Sequence, residues 1–194
     1  LQMKKPLKLK ISERVAKDCR ELGIYTNSYI MIGMPGETKK DIEKTRHNLR
    51  KVKTNWYNIS CASPLVGSEM YDLAQTKGYI SEITRGADFH KAVIETEDFT
   101  SEYIQKMQYL LNLELNFVYN NDIEVGDYKT ALTSFNNVIK VRPDHAFAHY
   151  FSAVCYQKLK DYNNYEIYKN NFKGFSKVPF WKEHFKYFNL ESNI

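Results

Sequence analysis

The chain has 194 residues, 43% hydrophobic and 26% charged, which suits a folded globular protein and argues against a disordered one. Its formal net charge is +5, but residues 1–53 carry 14 Lys and Arg against 6 Asp and Glu, so the remainder sums to −3. The three cysteines, Cys19, Cys61 and Cys155, are far apart and lack metal-ligand spacing, and no apolar run nears the ~20 residues that span a bilayer.

Sparse, odd-numbered thiols without a signal-peptide pattern suggest a reducing compartment and a cytoplasmic protein. The basic N-terminal stretch could mark a nucleic-acid surface, but its charges fall on the polar faces of two expected helices. Solvated outer helix faces are the plainer reading, so neither a nucleic-acid nor a membrane partner is indicated.

Taken in order, residues 1–9 are basic and aperiodic. Ser12 is expected to cap a helix to about Leu22, with Val15, Ala16, Cys19 and Leu22 as its apolar stripe and Gly23 as its stop. Ile24 to Ile32 reads as a strand that is apolar on both faces around Tyr29-Ile30-Met31-Ile32. Gly33-Met34-Pro35-Gly36 is a tight turn, and Thr38 with Asp41 resembles a capping box for a helix carrying Ile42, Leu49 and Val52 inward. A second strand runs from about Tyr57 to Ala62. The 24 residues from Gly33 to Trp56 suffice for a helical crossover between parallel strands.

Ile59 to Ser68 repeats the strand–turn–helix grammar. Ser68 caps a short helix with Met70, Leu73 and Ala74 inward, and Gly78 ends it. Residues 81–99 are irregular, with a possible strand at Ala92-Val93-Ile94. Beyond Thr100 the pattern is helical, which sets a boundary near residue 98.

The helical part contains a partial repeat. Gly126-Asp127-Tyr128, Ala131, Phe135, Val138-Ile139 and Pro143 have the spacing of a tetratricopeptide repeat's second helix, and an offset of 34 maps Asp127-Tyr128 onto Asp161-Tyr162. Tyr119 and Tyr165 stand where small residues are expected, so the match is about one and a half degenerate repeats. An unrelated set of helical hairpins is the alternative. So few repeats cannot form a solenoid alone.

Tyr29-Ile30-Met31-Ile32-Gly33-Met34-Pro35-Gly36-Glu37-Thr38, followed by Asp41-Ile42 and Thr45, resembles the fifth strand and helix of radical S-adenosylmethionine (radical SAM) enzymes. The closest likeness is to the class that often carries a cobalamin-binding domain. Ser63-Pro64-Leu65-Val66-Gly67-Ser68-Glu69-Met70-Tyr71, with Ala74 and Lys77-Gly78-Tyr79-Ile80, is similar to the sixth strand and the segment after it. Met3-Lys4-Lys5 and the helix behind it resemble the segment after the fourth strand. The likeness covers roughly residues 1–80.

It implies an α/β fold: a partial parallel (β/α) barrel, a TIM-barrel-like fragment made of the last two βα units, followed by an all-α tetratricopeptide-like region. Residues 1–98 would be the barrel part with its linker, and residues 99–194 the helical domain. The chain opens on Leu rather than Met and reads as the C-terminal portion of an iron–sulfur oxidoreductase or transferase. The family's cluster loop, three cysteines spaced by three and two residues, is absent.

The cofactors implied for the full-length enzyme are therefore S-adenosylmethionine and a 4Fe-4S cluster, with cobalamin as an open further one. None is expected on this chain, which should be inactive alone, with no catalytic and no metal-ligating residue assigned.

By the same resemblance, Met31 would lie against the adenine, Gly33 would allow close backbone approach, and the rest of the turn, Met34, Pro35, Gly36 and Glu37, would complete the cofactor wall. The family's acid falls one place off, at Gly36 rather than Glu37. Strand parity puts Asn27 and Tyr29 on the face of Met31. Asn27 would serve there as a pocket wall, or as a hydrogen bond closing the barrel bottom. Ser60, Ala62, Ser63 and Pro64 would line the substrate pocket. Each residue also has a plain role: Pro35-Gly36 in a turn, Glu37 at a helix start, Met31 in a core, Ser63-Pro64 ending a strand. His145 and His149, at i and i+4, could share a metal, but with no third ligand nearby they read as ordinary helix residues.

Two functions stay open. One is a piece of a radical SAM enzyme acting on an unknown small-molecule or macromolecular substrate. The other is an interaction module that binds a protein through the helical tail. Two strands cut from a barrel leave open edges, so the chain is expected to self-associate, to swap elements, or to fold residues 81–99 back over the sheet.

Overall fold

The computed structural model describes residues 8–80 and 88–190. The readings of Met3-Lys4-Lys5 and of residues 81–87 lie outside them. Two compact units form, Leu1–Leu115 and Asn116–Ile194. The break lies beyond the boundary near residue 98, because the helix after that point packs on the second strand.

In the first unit, α1 (Leu9–Glu21) begins at Lys8 without a side-chain cap, so Ser12 lies inside the helix rather than capping it. Of the expected stripe, Ala16 is buried, whereas Val15 and Leu22 are exposed. Gly23 ends the helix at φ +71°. β1 spans Asn27–Ile32, starting later than expected. The Asn55 side-chain oxygen accepts from the Thr26 N–H at 2.8 Å and the Thr26 hydroxyl at 2.9 Å, holding the chain just before the strand.

α2 (Lys39–Val52) starts in the expected capping box. Thr38 and Asp41 satisfy each other's main-chain N–H, and Ile42, Leu49 and Val52 are buried. β2 (Trp56–Cys61) pairs parallel with β1, from Asn27↔Trp56 to Ile32↔Cys61. Burial alternates along β2, with Tyr57, Ile59 and Cys61 inside. The Tyr57 hydroxyl donates to the Leu49 carbonyl of α2 at 3.0 Å, which fixes α2 against that face.

α3 (Glu69–Thr76) is capped by Ser68. Tyr71 and Ala74 turn inward, while Leu73 is exposed. Ala92–Ile94 form no strand. The Ala92 N–H is taken instead by the Gln105 side chain at 3.0 Å. The described part of the 81–99 segment folds back on the sheet: the Phe89 carbonyl accepts from the Cys61 N–H at 2.8 Å, and Ile94 is buried.

α4 (Ser101–Leu113), capped by Thr100, packs on β2 and runs directly into a π-helical segment, Glu114–Val118. Glu114 is fully buried. Its Oε2 accepts from Arg46 Nε at 2.5 Å and its Oε1 from Arg50 Nε at 2.7 Å, so two arginines of α2 clasp the end of α4.

The second unit is all helix: α5 (Asn121–Glu124), α6 (Tyr128–Val141), α7 (Ala146–Lys158), α8 (Tyr162–Phe175) and α9 (Pro179–Tyr187). The sequence offset of 34 has a backbone counterpart. Asp127 and Asp161 each cap the following helix through the third residue's N–H, at φ/ψ of −83/66° and −89/80°. The core is aromatic. Phe117 stacks on Phe135 at 5.4 Å and on His145 at 4.9 Å, Phe147 stacks on Phe185 at 4.2 Å, and Trp181 lies 4.7 Å from His145.

Candidate functional site

Parallel strands joined by a helix bring both turns to one end of the sheet. The turn after β1 is closed by its own residues. Gly33 and Gly36 take φ of +83° and +82°, a region open to glycine and strained for side-chain residues. The Glu37 N–H donates to the Met34 carbonyl at 3.0 Å. The Glu37 carboxylate folds back and accepts from the N–H groups of Gly33 at 2.6 Å and Met34 at 3.1 Å. Burial raises its pKa above the usual glutamate value, and the two N–H donors offset part of that shift. Pro35 is buried, and Met34 is half-buried.

Ile104 of α4 sits over this turn. A Cβ added at Gly33 would lie 2.8 Å from the Ile104 Cγ2. The close approach that Gly33 permits is therefore taken by this chain's own helix.

The open space lies on the sheet face that carries the odd-numbered residues of β1. A cleft of about 880 Å³ is lined by Tyr29, Met31, Asn58 and Ser60 from the sheet, by Phe89 and His90, and by Gln105, Gln108, Tyr109 and Asn112 of α4. Gln108 Nε2 donates to the Ile59 carbonyl at 2.7 Å, Gln105 Nε2 to the His90 carbonyl at 2.6 Å, and the Ser60 hydroxyl to the Ile30 carbonyl at 3.0 Å. These bonds fix the walls. The Asn58 and Asn112 amides and the Tyr29 ring, 81% exposed, are the surfaces that face into it.

Of the residues expected at a site, Tyr29, Met31 and Ser60 come together in this cleft. Asn27 instead borders a shallow groove with Ile11 and Val15 of α1 at the amino end of β1. Gly33, Met34, Pro35, Gly36 and Glu37 form the neighbouring turn. Ala62, Ser63 and Pro64 are buried beyond β2. Asn58 was legible by parity with Ser60. Gln105, Gln108, Tyr109 and Asn112, at i, i+3, i+4 and i+7, form a polar stripe at helical spacing that should have marked a second wall.

The thiols do not fit an iron–sulfur cluster. Cys61 and Cys155 are buried, with pKa values pushed up to about 11 and about 12 chiefly by burial, so both are protonated thiols at neutral pH. Cys19 is half-buried on α1. Among the described residues, no group of three or more His, Cys, Asp or Glu is placed to hold a metal ion. His145 caps α7 through Nδ1, accepting from the Ala148 N–H at 3.1 Å, and the His149 Nε2 bonds the Pro143 carbonyl at 2.8 Å. Burial holds both imidazoles below their usual pKa, His145 at about 3. Among the described residues, no helix is long and apolar enough to cross a membrane.

No protein-family model matches this chain, and no curated protein matches it significantly.

Proposed function

We propose that this chain is the C-terminal part of a radical SAM iron–sulfur oxidoreductase or transferase. Its two βα units would be the last two of a partial parallel (β/α) barrel, and its helical unit a tetratricopeptide-like extension. The reading rests on the motif after β1 together with the parallel β1–α2–β2 unit, whose strand ends aim both turns the same way. Ligands of parallel α/β sheets sit beyond the carboxyl ends of the strands.

Within that enzyme, Tyr29, Met31 and Ser60 would contribute one wall of the cofactor and substrate pocket, and the Glu37-closed turn would border it. S-adenosylmethionine would supply the radical chemistry when bound to a cluster. This chain's thiols do not fit that cluster, and Ile104 covers Gly33, so the chain by itself is read as inactive. The cytoplasm is its proposed location.

The encoding gene tests the reading. A loop of three cysteines spaced by three and two residues, encoded upstream of Leu1, is the expected finding. An in-frame start codon close to Leu1 would overturn it.

A second reading is favoured by the outer face of α8, which exposes Tyr162 and Ile167 while Tyr168 and Phe172 pack on α7. On it the helical unit binds a protein and the α/β unit is scaffold. Retained partner binding by Tyr162→Ala together with Ile167→Ala would sink that alternative.

A further inference from the structure

The two edges of the small sheet are not alike. On β2 the outward main chain is occupied: the Cys61 N–H donates to the Phe89 carbonyl at 2.8 Å, and the Ile59 carbonyl accepts from Gln108 at 2.7 Å. At the two ends of β1 the carbonyls of Thr26, just before it, and of Ile32 accept from Trp56 and Ala62, so the even-numbered residues bond inward to β2. By alternation, the N–H and C=O groups of Asn27, Tyr29 and Met31 point away from β2, and among the described residues they meet no partner. A row of such groups is a template for another strand.

The residues along this edge carry none of the usual protection. From Leu22 to Met34 there is neither a charge nor a proline. Lysine, inward-pointing charge and proline are the devices that keep edges apart. The edge also exposes apolar surface: Ile24 is 52% exposed, Tyr25 51% and Tyr29 81%. An incoming strand therefore has to be uncharged, aromatic and β-forming, and the Ile24–Ile32 segment of a second copy has that composition.

We propose that β1 is a self-pairing edge that takes β1 of a second copy antiparallel across a two-fold axis at Tyr29. Tyr29 then faces Tyr29 of the other copy, and Asn27 faces Met31, each pair exchanging two main-chain hydrogen bonds. The cross-strand tyrosine pair adds contact without like-charge repulsion. Because β2 is blocked at Ile59 and Cys61, the four-stranded sheet stops at two copies, and the two-fold closes it. The proposal does not depend on the radical SAM reading, and its test reads mass rather than the encoding gene.

The experiment is light scattering on the intact chain at concentrations up to about 100 μM, where mass action favours association. The wild type is expected at twice its 22.9 kDa. Tyr29→Lys and Tyr29→Glu, both on an exposed side chain, should each give the monomer mass with unchanged circular dichroism. Mixing the two variants should restore the doubled mass, because residue 29 meets itself at the axis. A wild type that stays monomeric, or that pairs instead with an unrelated extended peptide, overturns the proposal. So does a dimer that both charged variants leave intact, or a mixture that fails to re-form one.

Discussion

The Glu37 carboxylate has a structural role that two substitutions separate. Glu37→Ala leaves the Gly33 and Met34 N–H groups without their acceptor and should cost about 1–3 kcal/mol in chemical denaturation. Glu37→Gln keeps an acceptor oxygen and should stay within about 0.5 kcal/mol of wild type at neutral pH. The pH dependence has a fixed sign. A carboxyl whose folded pKa is raised stabilises fully below its unfolded value, and that contribution fades as pH climbs through the raised one. Glu37→Gln should remove this decline. His145 gives the mirror case: its folded pKa of about 3 lies below its usual value, so acidification from about 6.5 toward 3 should destabilise the second unit progressively. Thermal melts across that range would show it. His145→Asn keeps a cap and should flatten the slope.

At the scale of elements, α4 is the piece that decides what the first unit can hold. Gly33→Ala places a Cβ against Ile104 at a positive φ, and should destabilise by about 1 kcal/mol or more. Ile104→Ala costs about 2–5 kcal/mol through the cavity it leaves. In the double variant the clash is gone, so the two losses should add to less than their sum in a denaturant cycle. Cutting the clasp at the far end of α4 by Glu114→Ala should cost about 1–3 kcal/mol, because two half-buried arginines lose the carboxylate between them but keep access to water. These contacts also mark the limit of what the residues disclosed. The caps at Thr38 and Ser68 and the stop at Gly23 are set by neighbours within a few positions, and they were legible. Ile104 meets Gly33, and Glu114 meets Arg46, across some seventy residues of chain. No local period encodes such pairings. Ser12 shows the converse: a good capping residue lies three places inside α1, because the helix starts earlier, at Leu9.

At the scale of the whole molecule, the α/β start and helical finish followed from a change of period, and the parallel pairing of β1 with β2 followed from the length of the connection between them. The division between units did not. The shift to helical spacing falls near residue 98, but α4 belongs with the sheet because its side chains pack on β2 and hold the returning 88–99 segment. Among its described residues the second unit holds no strand and draws its core from stacked rings, which explains why a chain with 15 Tyr and 11 Phe needs few long aliphatic side chains there. If the two units unfold separately, denaturation followed by calorimetry should show two transitions. Loss of the Glu114 clasp should move the one that belongs to the sheet.

The packing of Trp181 against His145 has an optical consequence. The chain has two tryptophans, Trp56 in the first unit and Trp181 in the second. Trp181 is 1% exposed and lies 4.7 Å from an imidazole kept neutral by burial. Its emission should therefore be blue-shifted and unquenched at neutral pH. Trp56, half-buried at the start of β2, should emit further to the red. In a Trp56→Phe variant all the tryptophan fluorescence comes from the helical unit, and acid should dim it as His145 takes a proton and loosens. The complementary Trp181→Phe variant would follow the sheet alone, so each unit of this chain carries its own spectroscopic reporter.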